Sequence, residues 1–104
     1  MTFTRVLPDA ELWTGEMRGL VVGGRRVLLV RTEHELCAYE DRCAHLGVPL
    51  SNGTLENGVI TCAVHQYQYD ARTGRGINPE NVALRVLPVC LLGADIAVDV
   101  GSGG

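Results

Sequence analysis

A chain of 104 residues and 11.2 kDa has the length of one domain and leaves no room for a second, catalytic one. Hydrophobic side chains make up 46% and charged ones 20%, a globular balance that excludes intrinsic disorder and low-complexity structure. All nine basic residues are arginine, scattered from Arg5 to Arg85 without a run, and with twelve acids the formal charge is −3, which argues against nucleic-acid binding by bulk electrostatics.

In chain order, residues 9–12 read as one helical turn. Residues 20–22 and 26–30 then flank Gly23-Gly24, a pair that supplies the positive φ angles of a tight hairpin turn. Residues 36–40 form the next strand candidate, and Asn57-Gly58 marks a second turn leading into 59–62. Another short strand over 66–69 closes at Thr73-Gly74, and a looser segment with Gly76, Asn78 and Pro79 follows. Residues 82–87 and 91–100 alternate again, with a turn at Gly93-Ala94. No window of eleven or more residues keeps a helical period, so the pattern predicts an all-β sandwich or small barrel over 1–100. Residues 101–104, Gly-Ser-Gly-Gly, are expected to be a flexible tail. Apolar runs are strand-sized, far below the ~20 residues of a membrane span, and the start has no basic region followed by an apolar one. A cytoplasmic protein is therefore expected, in which four cysteines read better as metal or redox ligands than as disulfides.

Cys43-x-His45 and Cys62-x-x-His65 stand sixteen residues apart in turn-rich stretches, each offering one thiol and one imidazole. A structural zinc finger usually sets two cysteines on one knuckle and two histidines on a helix, which is not the arrangement here. The four side chains fit two schemes. They hold one zinc ion that staples a small non-redox interaction module, or they hold two sulfide-bridged irons, one taking both thiolates and the other both imidazoles, as in Rieske ligation.

Cys43-Ala44-His45-Leu46-Gly47 and Cys62-Ala63-Val64-His65, followed by Tyr69 and Thr73-Gly74, resemble the Rieske [2Fe–2S] signature. The flanks Leu12-Trp13-Thr14-Gly15-Glu16-Met17 and Gly74-Arg75-Gly76-Ile77-Asn78-Pro79 are similar to those of the Rieske ferredoxins of toluene-type multicomponent diiron monooxygenases. A ferredoxin of a Rieske ring-hydroxylating dioxygenase system shares the core motif and the size, and is the alternative. The resemblance implies a Rieske-type antiparallel β-sandwich in three layers. Its cluster-binding subdomain, about 41–80, would consist of two loops covered by a third that contains Pro79. It implies one [2Fe–2S] cluster held by Cys43, His45, Cys62 and His65, with Leu46, Gln66, Tyr67 and Pro79 around the exposed histidine edges as shielding or docking residues. The implied role is that of a soluble, monomeric one-electron carrier with no substrate chemistry of its own. It takes electrons from a flavin-containing NAD(P)H-dependent reductase and passes them to the hydroxylase or oxygenase component, with no nucleic-acid or membrane partner.

High-potential Rieske proteins of respiratory complexes carry an extra cysteine in each loop, joined as a disulfide; the corresponding residues here are Val48 and Val64. Their serine donor to a bridging sulfide corresponds to Tyr67, and its loss favours a low-potential centre. Tyr69 fits two roles, a hydroxyl reaching a ligand sulfur or a strand-packing ring. Gly47 and Gly53 suit close backbone approach near the site. Cys37 and Cys90 sit among apolar strand residues and are expected to be small buried hydrophobes, with His34 solvated and Trp13 and Tyr39 packed in the core or at an edge. Glu40, Asp41, Glu56 and Glu80 are expected on a solvated face, where they would steer a basic partner.

Overall fold

The computed structural model describes residues 2–44 and 47–101. Its architecture follows from one strand, β3 (Arg25–Arg31), whose run Val27-Leu28-Leu29-Val30 is apolar at every position and fully buried throughout. Alternate side chains of a strand point to opposite faces, so such a strand must be covered on both. Leu28 and Val30 enter one core with Tyr39, Leu50, Ile60 and Tyr69, while Val27 and Leu29 enter another with Leu7, Leu12, Ile96 and Val98.

Strand β3 lies inside a four-stranded antiparallel sheet with β2 (Met17–Val22), β4 (Leu36–Glu40) and β9 (Val86–Leu87), in the order β2-β3-β4-β9. On one side packs a three-stranded sheet in which β11 (Asp95–Val98) is central between β1 (Thr4–Pro8) and β10 (Val89–Leu92). On the other lies the sheet β5-β6-β7-β8, made of Thr54–Glu56, Val59–Thr61, Gln68–Asp70 and Gly76–Asn78. Every pairing among these strands is antiparallel. The two expected hairpin turns are present, Gly23-Gly24 between Val22 and Arg25 and Asn57-Gly58 between Glu56 and Val59, each pair with positive φ. The helical turn is a 3₁₀ turn, Asp9–Glu11.

Three strands escape the sequence pattern. β1 pairs with β11 across the length of the chain, and β5 and β8 are three-residue edge strands. The expected strand 82–87 shortens to Val86–Leu87. Residues 82–84 instead run beside 74–76 at the start of β8, with the Val82 carbonyl accepting the Gly76 N–H at 2.8 Å and the Leu84 N–H donating to Gly74 at 2.7 Å. Trp13 does not pack as expected: it is 72% exposed while its neighbour Leu12, 2% exposed, fills the core. Tyr39 is buried, its hydroxyl donating to the Ala71 carbonyl at 2.8 Å. His34 is exposed as expected, whereas Cys37 and Cys90 are half-buried rather than sealed in a core. Apart from Gly101, the tail expected over 101–104 lies outside the described residues.

Asp41 also departs from the solvated face expected of it, being 4% exposed. Its two carboxylate oxygens accept the Ser51 N–H at 2.9 Å and the Ser51 hydroxyl at 2.7 Å, clasping the segment 42–50 at its base. Removing a charged acceptor leaves both donors unpaired, so Asp41→Ala should lower stability by about 2–3 kcal/mol in urea denaturation. A loss below about 0.5 kcal/mol would show that the clasp does not hold this loop.

Candidate metal centre

Strand β4 leads through Asp41 and Arg42 to Cys43, and β6 runs directly into Cys62, so each cysteine starts a loop where a strand ends. Both loops close in the same way. The Cys43 N–H donates to Val48 at 2.8 Å and the Gly47 N–H returns to the Cys43 carbonyl at 2.9 Å. In the second loop the Cys62 N–H donates to Tyr67 at 2.8 Å and the Gln66 N–H returns to Cys62 at 3.1 Å. The fourth residue after each cysteine is left-handed, Gly47 with φ 71° and Gln66 with φ 60°. Glycine adopts this conformation freely; a side chain bears about 1–2 kcal/mol of strain, so the closure of the second loop is strong enough to hold Gln66 there.

The sequence hides this equivalence because the histidine stands two residues after the first cysteine and three after the second. His45 and Leu46 lie outside the described residues. Of the other expected site residues, Cys43 and Cys62 are fully buried in the core beneath the loops, His65 and Gln66 are exposed, and Tyr67 and Pro79 are half-buried. The thiols thus lie at the dry base of the site and His65 at its wet rim. Val64 is 55% exposed on the same loop.

Tyr69, opposite Ile60 in the β6–β7 pair, serves both of the roles open to it. Its ring is fully buried, and its hydroxyl lies 3.3 Å from the Cys43 sulfur. The same oxygen accepts the Ala44 N–H at 3.1 Å; either atom can donate across the contact with the sulfur, and when Cys43 is a thiolate the phenolic proton is the one that faces it. Burial, and then the hydrogen bond with Cys43, push the phenol above its ordinary range and keep that proton in place. Outside the loops, Arg26 donates to the Gly47 carbonyl at 3.1 Å and the Arg42 guanidinium lies over Gly47. No spacing signal in the sequence reveals Arg26, which acts across twenty-one residues. Cys37 plays no part here: burial pushes its thiol up, and its sulfur sits 3.7 Å from both the Glu35 carboxylate and the Arg72 carbonyl.

Among the described residues no three histidine, cysteine or acidic side chains are gathered as a metal site, and His45 is not one of those residues. Buried thiols combined with imidazole are donors that suit zinc and iron–sulfur centres alike, so the residues fit such a group by their chemistry. Comparison with known proteins separates the two. The family model of the Rieske [2Fe–2S] domain matches residues 2–88. The chain is 40% identical over 89 residues to the ferredoxin component of the alkene monooxygenase system of Xanthobacter autotrophicus (strain ATCC BAA-1158 / Py2), covering 85% of this chain and 73% of that protein. It is 34% identical over 104 residues to the ferredoxin component of biphenyl 2,3-dioxygenase of Rhodococcus jostii (strain RHA1), covering 99% and 97%. Its fold superposes with a TM-score of 0.82 and 28% identity on a chain of the complex of reduced oxygenase and oxidized ferredoxin in carbazole 1,9a-dioxygenase, covering 92% of this chain and 91% of that one.

Proposed function

This chain belongs to the family of Rieske [2Fe–2S] domains, and from that premise we propose that it is the ferredoxin component of a multicomponent diiron monooxygenase, an electron carrier and not itself an enzyme. It takes one [2Fe–2S] cluster. We assign Cys43 and Cys62 to one iron and His45 and His65 to the other, within a cluster-binding part of about 41–80. When bound, such a centre supplies a one-electron couple whose potential histidine ligation raises.

The observation that carries the proposal is the pair of identically closed loops, each starting at a fully buried cysteine, with the exposed His65 on the second. Buried sulfurs keep the site dry, Tyr69 directs a hydrogen bond at the Cys43 sulfur, and the imidazole rim faces a partner. By the same resemblance, Leu46, Gln66, Tyr67 and Pro79 would surround that rim and shield it or meet the partner. A flavin-containing NAD(P)H-dependent reductase as donor, a cytoplasmic location and a monomeric state belong to the same proposal. Four cysteines without a disulfide suit a reducing compartment, and a carrier must turn one edge to two partners in succession. None of the described helices is long and apolar enough to cross a membrane.

A second reading has its own support. The biphenyl dioxygenase ferredoxin aligns over nearly the whole of both chains, so a ring-hydroxylating dioxygenase is the other candidate acceptor. The test begins with low-temperature EPR on anaerobically purified protein. We expect silence when oxidised and, after dithionite, a rhombic spin-half signal of low average g, one spin per chain. A folded protein that stays colourless and silent in both states would overturn the electron-carrier reading. Turnover of a purified diiron hydroxylase or of a Rieske dioxygenase by the reduced protein then decides between the acceptors.

A further inference from the structure

Four of the nine arginines scattered along the sequence are gathered by the middle sheet. In the order β3-β4-β9 with antiparallel neighbours, the start of β3, the end of β4 and the start of β9 meet at one end of the sheet. This brings Arg25 and Arg26, Arg42, and Arg85 together: the Asp41 N–H donates to the Arg26 carbonyl at 3.0 Å and the Glu40 N–H to the Arg85 carbonyl at 3.0 Å. A cleft of about 130 Å³ is lined by Arg25, Arg26, Glu40, Asp41, Arg42 and Leu87. A second, of about 140 Å³, continues from Glu40, Arg42 and Arg85 to Ala44 and Cys43 itself.

The charge here is opposite to that of the whole molecule. Four arginines face two carboxylates across these clefts, while the rest of the chain carries five arginines against ten acids. Both carboxylates are also engaged. Asp41 is buried and bound by Ser51, and Glu40, with its side chain 32% exposed, lies 3.9 Å from both Arg42 and Arg85, whose side chains are 63% and 58% exposed. Two long-reach guanidinium groups beside the first cysteine loop therefore present positive charge to solvent. This reverses the expectation that Glu40 and Asp41 steer a basic partner.

Building on the electron-carrier reading, we infer that this arginine face docks a carboxylate-bearing surface of the oxygenase component, laying it against the Cys43 loop for electron transfer. Guanidinium forks pair carboxylates in a fixed geometry, and a local field of this sign steers an acidic face to the loop although the chain as a whole is acidic. The encounter stays brief because paired rim charges govern association more than residence.

The test follows oxidation of the dithionite-reduced holoprotein by stopped flow, with an acidic and a basic c-type cytochrome as probes. One electron leaves the ferredoxin and reduces one ferric haem to ferrous, with no proton moved. Between about 10 and 100 mM ionic strength the screening length falls from ~30 to ~10 Å. Reduction of the acidic cytochrome should slow about tenfold over that range, and Arg42→Glu and Arg85→Glu should each slow it several-fold at low salt. The basic cytochrome should show the opposite response to both variants. If salt speeds the acidic cytochrome, or affects neither, the face is not a docking site, and the wild-type slopes decide this even if a variant fails to fold. Retention of RNA at about 100 mM salt, lost in both variants, would reassign the face to nucleic acid and overturn the inference. Absence of the reduced EPR signal in the wild type would instead defeat the electron-carrier reading itself, whatever the slopes.

Discussion

Tyr69→Phe should load its cluster normally yet show a reduction potential lower by on the order of 40 mV. The substitution keeps the buried ring and deletes the hydroxyl 3.3 Å from the Cys43 sulfur. Reduction adds negative charge, so a hydrogen bond to sulfur stabilises the reduced state more than the oxidised one. Hydrogen bonds to charged groups contribute about 1.5–3 kcal/mol, and a preference of about 1 kcal/mol between the two states corresponds to ~40 mV for one electron. The Ala44 N–H loses its acceptor as well, at about 1 kcal/mol of stability. Protein-film voltammetry alongside EPR separates the two effects. A potential unchanged within about 10 mV, with the cluster present, would mean that the phenol does not act on the sulfur.

Gly53→Ala should destabilise the fold by about 3 kcal/mol or more and impair cluster loading with it. Gly53 needs no unusual φ; what it needs is room. A Cβ there would sit 1.9 Å from the Thr61 carbonyl oxygen, a backbone atom that cannot swing aside. Gly53 follows the 3₁₀ turn Leu50–Asn52, on the way out of the first loop, and Thr61 immediately precedes Cys62, so the added carbon would drive the two loops apart. It would also open the β5–β6 pair, in which Thr54 faces Thr61. Gly93→Ala is the matched control. Its φ of 63° imposes strain of about 1 kcal/mol, but nothing lies within 4 Å of the new carbon. Equal stability losses for the two variants in urea denaturation would refute the steric account of Gly53.

Local features of this fold are legible in the sequence. The turns Gly23-Gly24 and Asn57-Gly58 declare themselves because the residues that tolerate positive φ stand between apolar runs, and the bounds 36–40 of β4 are as expected. The spacing of Cys43 and Cys62 to a following histidine sets them apart in the sequence, and the structure shows each starting a loop that closes in the same way. Pairings between distant segments are not. Nothing near Thr4–Pro8 indicates that it lies along Asp95–Val98, and no spacing rule brings Arg85 beside Arg42 and Arg26. Charge on a sequence likewise does not reveal its surface: Asp41 reads as a solvated acid until Ser51 is found closing over it.

The self-closed loops also bear on how fast such a carrier works. Each loop satisfies the N–H and carbonyl of its own cysteine, and Tyr69 fastens the first loop to β7. A cluster held as proposed could gain or lose one electron without exchanging these hydrogen bonds for others. Groups fixed in advance cost nothing to reorient at the moment of transfer. A frame of this kind adds little to the reorganisation energy of transfer, which suits a carrier whose encounters are brief.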